Sequence, residues 1–256
     1  MNSPGKIRGS DWGMIGTLRE SNDSVDKKYK VIFGTIYRFL NIDPRGDWLD
    51  LKRRKPINAD EDDSVPPVPD NLKPNLKQIF YMFYPEYHRL FFEYKFITPK
   101  GLRDLLSSLF AEEKIFSEFG KVDIEIESTK EAIKRILKIP RITKLSIDFS
   151  FPNPDDLSDS DEKVLKRFQK QNIRKYNQVS TTTHEDGIKP DEETQALMNI
   201  ARSNGKVTAV GYDSGERIVR STIDHPLTEQ IEYNPEHEML HDAMLIASTR
   251  MLKRIG

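Results

Sequence analysis

The sequence predicts an α+β fold with a mixed, twisted sheet, helices packed against it and a long C-terminal helix. Three observations carry this. Strand and helix signals alternate between residues 88 and 151. A helix with leucines at helical spacing sits among them behind a Thr-Pro start, and the stretch from about Pro235 to Arg254 keeps its apolar residues on one helical face. At 256 residues the chain is long enough for a real core, since about 70% of the unfolded surface would be buried at this size.

Taken in order, residues 1–28 are rich in Gly, Ser, Asp, Arg and Lys and read as a loosely attached arm, leaving 29–256 as a single domain. Tyr29 to Phe39 is dense in β-branched and aromatic residues and reads as the first strand, with Gly34 marking a bulge or a close backbone approach. Residues 52–74 hold prolines at 56, 66, 67, 69 and 74 and form a proline-rich crossing with little regular structure. Lys77–Tyr84 and His88–Phe96 are aromatic strands. Thr98 caps a helix from Pro99 to Glu112 that aligns Leu102, Leu105, Leu106, Leu109 and Phe110. Lys121–Glu127 alternates as a strand with one wet face, and a helix over 129–137 and a strand over 142–151 follow. A helix from Asp159 to about Tyr176, a polar loop over 180–186, a helix over 190–203 and a hairpin around Asp213-Ser214-Gly215 lead to the final helix.

Composition removes several classes of function. The chain contains no Cys, so disulfides, thiolate catalysis, iron–sulfur clusters and Cys-ligated zinc are excluded. No stretch approaches the apolar run of a membrane span and the start of the chain lacks a signal-peptide core, which leads us to expect a cytoplasmic protein without direct membrane insertion. With 40 Lys and Arg against 41 Asp and Glu, the net charge is −1. Any nucleic-acid binding must therefore come from locally concentrated positive charge.

The clearest such concentration is on the helix expected from Asp159. There Lys163, Lys166, Arg167, Lys170 and Arg174 project into an arc of about 100°, opposite Val164, Leu165, Phe168 and Asn172. This face is about 17 Å long and meets phosphates naturally, although a solvated charged face gives the same pattern. The run Lys52–Lys55 and the terminal Arg250, Lys253 and Arg254 are further basic groups.

Two patterns point to metal chemistry. His237-Glu238-Met239-Leu240-His241 has the HExxH spacing that places two imidazoles one turn apart on a helix, with the glutamate as general base. Zinc needs a third ligand, and beyond Asp242 the chain has no further Asp, Glu, His or Cys, so two boundary histidines on a docked helix is the plainer reading. Asp148, Asp155 and Asp156 gather around a strand end as magnesium-binding carboxylates do, but a solvated turn explains them equally. No GxGxxG, GxxxxGK[ST] or GxSxG motif is present, and no cofactor is expected.

Asp47-Trp48, Leu72 to Asn75, Pro85-x-x-His88-Arg89-Leu90, Phe151 to Asp156, Gly187 to Asp191 and Asn204-Gly205 together resemble a bacterial family known only as a domain of unknown function, found among mobile elements. The order of elements is also similar to that of RexA, a phage exclusion protein. That resemblance implies dimerisation, DNA binding and antiphage defence, and carries no residue across. The expectation from the sequence is thus non-enzymatic binding of DNA ahead of RNA, as sensor or regulator in a defence system, by a homodimer with a possible second defence protein. A metal-dependent nuclease or hydrolase, or a protein-interaction subunit of a toxin–antitoxin-like system, stand as alternatives.

Overall fold

A computed structural model describes residues 3–21, 29–58, 69–151 and 162–255, and the chain divides into two compact units. Its class is α+β, as expected. Among the described residues there are two larger sheets, of five and four strands, and a two-stranded hairpin.

The first unit comprises Met1–Arg19, Phe33–Tyr81 and Phe92–Gly120. The expected N-terminal arm is in part a pair of strands, β1 (Gly5–Arg8) and β2 (Asp11–Ser21), joined antiparallel. They belong to a five-stranded sheet with β3 (Val31–Leu40), β6 (Lys77–Tyr84) and β7 (Arg89–Phe92), in the order β1-β2-β3-β6-β7. Gly34 marks a close approach, since a Cβ there would lie 1.9 Å from the Thr17 carbonyl oxygen. The crossing begins with a hairpin, β4 (Asp47–Asp50) against β5 (Lys55–Asn58), and residues 59–68 of it lie outside the described residues.

α1 (Pro99–Phe110) forms as its sequence dictates. The Thr98 side chain accepts a hydrogen bond from the Gly101 amide at 3.1 Å, Pro99 occupies the first turn, and Leu102, Leu105, Leu106 and Leu109 are buried. A short α2 (Glu113–Phe119) follows, ended by Gly120 at φ 73°.

The second unit comprises Glu20–Ile32, Met82–Phe91 and Lys121–Gly256. Residues 121–127 join no strand ladder, contrary to the expected strand. The apolar alternation there is not matched by burial, since Ile126 is buried while Val122 is exposed, and among the described residues the isolated β-bridge nearby joins Ser128 to Pro226. After α3 (Lys130–Leu137) come β8 (Arg141–Ser150), α4 (Glu162–Lys170), β9 (Lys175–Thr181), α5 (Glu192–Asn204), β10 (Gly205–Asp213), β11 (Glu216–Ser221) and α6 (Leu240–Ile255).

The four strands run β11-β10-β8-β9, and every pairing among them is antiparallel, where a mixed sheet was expected. One face is the core: Leu145, Ile147, Phe149, Val207 and Ala209 pack with Ile133, Ile136, Phe168, Leu197 and Met198 of the helices. α5 is capped by Asp191, which accepts from the Thr194 amide at 2.8 Å. Hydrogen bonding to Thr194 holds the Asp191 carboxyl below its ordinary pKa.

α6 contributes Ser248 and Thr249, both buried, whose hydroxyls lie 2.7 and 3.2 Å from the fully buried Tyr84 hydroxyl. Tyr84→Phe removes the hydroxyl that ties two side chains together inside the unit. The expected cost is about 1–2 kcal/mol, read as a lowered urea midpoint at unchanged slope. An unchanged midpoint would mean that the two α6 hydroxyls are satisfied without it.

Candidate nucleic-acid interface

The five expected basic residues do not form one face. α4 ends at Lys170 and Asn172 turns left-handed at φ 55°, so Arg174 lies beyond the helix, its carbonyl accepting from the Phe151 amide at 2.7 Å. The helix was expected to run to about Tyr176; in the structure Tyr176 belongs to β9, its ring tilted by 40° against that of Phe168 with centroids 4.8 Å apart. Lys166, Arg167 and Lys170 are exposed on α4, while the Lys163 side chain lies outside the described residues. Arg167 is engaged: NH1 is 2.7 Å from Glu193 Oε1, and its guanidinium lies 5.0 Å from the Phe168 ring centroid. Arg250 and Arg254 both ion-pair with Glu229, at 2.5 and 3.5 Å.

The HExxH residues are separated as well. α6 starts at Leu240, and His237 sits before it in a turn where the Asn234 carbonyl accepts from the His237 and Glu238 amides. His241 Nδ1 lies 3.0 Å from Asp242 Oδ1. The two imidazoles therefore lack the one-turn helical placement that the motif requires. Asp148 accepts from Asn177 Nδ2 at 3.1 Å and lies 3.6 Å from Lys175 Nζ; Asp155 and Asp156 fall outside the described residues. Among the described residues no group of three or more His, Asp or Glu is placed to hold a metal ion.

Positive charge collects instead on the face of the four-stranded sheet that points away from α4 and α5. Register builds it row by row. Arg217, Tyr212 and Arg141 form one row; Val219, Val210, Lys144 and Thr181 the next; then Ser221, Thr208, Ser146 and Val179; then Lys206, Asp148 and Asn177; and finally Ser150 with Lys175. Five cations thus share the face with one carboxylate, Asp148, in a chain whose net charge is −1. Lys144, Lys175, Asn177, Lys206 and Arg217 are exposed, as are Tyr212 and the two valines 179 and 219. Lys144, Lys206 and Arg217 make no ion pair among the described residues. At the usual strand spacing and rise the face measures about 14 by 27 Å.

A bulge shapes one end. Between Val210 and Gly211 the register shifts, so that β8 has one residue, Thr143, more than its partner. Ile142 is thereby paired with Gly211 and buried in the core, and Arg141 comes opposite Tyr212, its guanidinium 5.9 Å from the ring centroid. Arg141 is held there by the carbonyls of His184 and Thr183, at 3.3 and 3.2 Å.

This arrangement defines a class: an α+β chain with an antiparallel sheet that is packed on one face and cationic on the other, and with no helix among the described residues long and apolar enough to cross a membrane. The chain belongs to the family described as a domain of unknown function, DUF4747, which matches residues 1–249. No curated protein and no solved structure matches it.

Proposed function

We propose that this protein binds nucleic acid, without chemical turnover, through the cationic face of the four-stranded sheet. The observation that carries the reading is the segregation of five cations against one carboxylate on an exposed sheet face. Lysine and arginine neutralise phosphates, the Ser and Thr hydroxyls donate to phosphate and sugar oxygens, and exposed Tyr212 offers one ring for a base to stack on. An open sheet face follows a single strand more readily than it enters a duplex groove, and with Tyr212 the one aromatic ring among the described residues of this face, backbone contacts are favoured over sequence readout. In the mobile-element setting that the family resemblance implies, and the phage exclusion that the likeness to RexA implies, such a surface would serve as the sensing part of an antiphage system, with DNA ahead of RNA.

The test is fluorescence anisotropy with labelled single-stranded DNA, duplex DNA and RNA at several salt concentrations. Lys144→Glu/Lys206→Glu is expected to weaken binding at least tenfold and to flatten the salt dependence by about 1.4 in log–log slope for a single strand, two phosphate contacts being lost. Lys166→Glu/Lys170→Glu on α4 is expected to bind nearly as the unaltered protein does. The opposite pattern would move the interface to α4, and no binding at low salt by the unaltered protein would end the reading.

A further inference from the structure

A cavity of about 420 Å³ opens at the free edge of β11, lined by Arg135, Val219, Arg220, Ser221, Asp224 and His225. Its construction follows from the strand's alternation. Val219 and Ser221 belong to the cationic face described above, while Arg220 between them points the other way and donates from NH1 to the Arg135 carbonyl at the end of α3. That bond satisfies one of the last carbonyls of the helix and fixes the Arg220 guanidinium at the cavity wall. Arg135 reaches in from α3, its NH1 3.5 Å from His225 Nε2. His225 is placed by its backbone, whose carbonyl accepts from the Thr129 amide at 3.1 Å.

Two guanidiniums, an imidazole and a hydroxyl thus converge on one small space, and neither Arg135 nor Arg220 has a carboxylate at ion-pair distance among the described residues. Asp224, on the same wall, forms no ion pair with either of them. Convergent arginines recognise phosphate by paired N–H donors. A terminal monoester suits them better than an internal diester, because at neutral pH it carries close to two charges and three acceptor oxygens where the diester carries one charge. The lone carboxylate is placed to accept from a hydroxyl next to that phosphate, which a sugar supplies.

We infer that this cavity binds a phosphate monoester, and that the monoester is the end of a nucleic-acid strand lying across the adjoining sheet face. The inference rests on the reading proposed above, because Val219 and Ser221 line both surfaces and a strand following the face would reach the cavity at the β11 edge. The same monoester chemistry is offered by a free nucleotide, so the experiment separates the two sources.

Anisotropy is measured with a labelled single-stranded oligonucleotide bearing a 5′-phosphate, a 3′-phosphate or only hydroxyl ends, and thermal shift is measured with a nucleoside monophosphate and with inorganic phosphate. At least a tenfold preference for one phosphorylated end is expected. Arg135→Gln should abolish that preference while leaving affinity for the hydroxyl-ended oligonucleotide unchanged. His225→Gln, which keeps the backbone bond to Thr129, should reduce it and serves as a second variant that does not touch α3.

Equal affinity for all three oligonucleotides overturns the strand-end assignment and leaves the sheet-face reading standing. A thermal shift with the monophosphate that Arg135→Gln removes, without any end preference, assigns the cavity to a free phosphate ester and overturns the strand end. No oligonucleotide binding together with a monophosphate shift overturns the sheet-face reading while the cavity retains its ligand class. No response to any of these probes overturns the inference entirely.

Discussion

Gly205→Ala is expected to cost about 3 kcal/mol, at the upper end of the range for added volume in a packed interior. α5 ends at Asn204 and β10 begins at Gly205 with no connecting residue, so the helix end is drawn directly onto the sheet. Gly205 is paired with Phe149, and a Cβ there would stand 2.0 Å from the Asp148 carbonyl oxygen and 2.6 Å from the Phe149 Cα. Both are backbone atoms of the central strand, so no side chain can swing aside. The backbone at Gly205 is extended, at φ 172°, which any residue adopts; the cost is therefore steric. Relief requires β10 to part from β8, the pair that buries Val207, Ala209, Leu145 and Ile147. A loss of this size in a chain this long lowers Tm by about 6–12 °C. Gly215→Ala is the control: Gly215 has φ 88° and no atom within 4 Å of a built Cβ, so only the left-handed backbone is penalised, by about 1 kcal/mol. Equal losses at the two positions would show that the strands separate freely at Gly205.

Glu127→Ala is expected to be at least as damaging, at about 3–5 kcal/mol. The Glu127 carboxylate is shared by two guanidiniums, with Oε2 3.1 Å from Arg89 Nε and Oε1 3.8 Å from Arg202 NH1, and all three side chains are about five-sixths buried. Arg202 also donates to the Ser128 carbonyl at 2.8 Å, and the Ser128 amide donates to the Arg202 carbonyl at 2.9 Å. Without the carboxylate, two arginine charges remain partly desolvated close together with their common counter-charge gone. Because the site is largely shielded from solvent, added salt should restore little of the loss. Urea unfolding at low and high salt reads both effects. A loss below 1 kcal/mol would show that the backbone bonds alone hold residues 127–128 against α5.

The parts of the fold that were legible are those in which a local signal and a buried face coincide. α1 is readable because Thr98-Pro99 fixes its start and four leucines at helical spacing are the residues that become buried. The β10–β11 hairpin is readable because Ser214 and Gly215 both adopt positive φ, as its tight turn demands. β9 was missed because its inner positions are Tyr176, Gln178 and Ser180, so the alternation of burial has no matching alternation of hydrophobicity. β1 and β2 were missed for a related reason. Gly5 and Gly13 are buried by having no side chain, with Leu105 and Leu109 of α1 occupying the space beside them.

The candidate site shows the same limit. The α4 cations lie within a few residues of each other and announce themselves, yet Arg167 is engaged by Glu193 and Arg174 is not on the helix. Lys144, Lys175, Lys206 and Arg217 stand singly on four different strands, and only register brings them to one face. The Gly-free cavity beside them had no sequence signature either, since Arg135, Arg220 and His225 come from a helix, a strand and a turn.

Thr143 gives the sheet a parity that residue identity alone would not reveal. From Lys144 onward the even-numbered residues of β8 face outward, and before Thr143 it is the odd-numbered Arg141 that does so. Were that single threonine taken into the ladder opposite Gly211 instead of bulged out of it, strict alternation would exchange the two residues before it, turning Ile142 to the surface and Arg141 to the interior. The character of one end of this surface is therefore set by where one residue leaves the register. Two family members with the same β8 sequence, one bulged at this threonine and one not, would present opposite chemistry there.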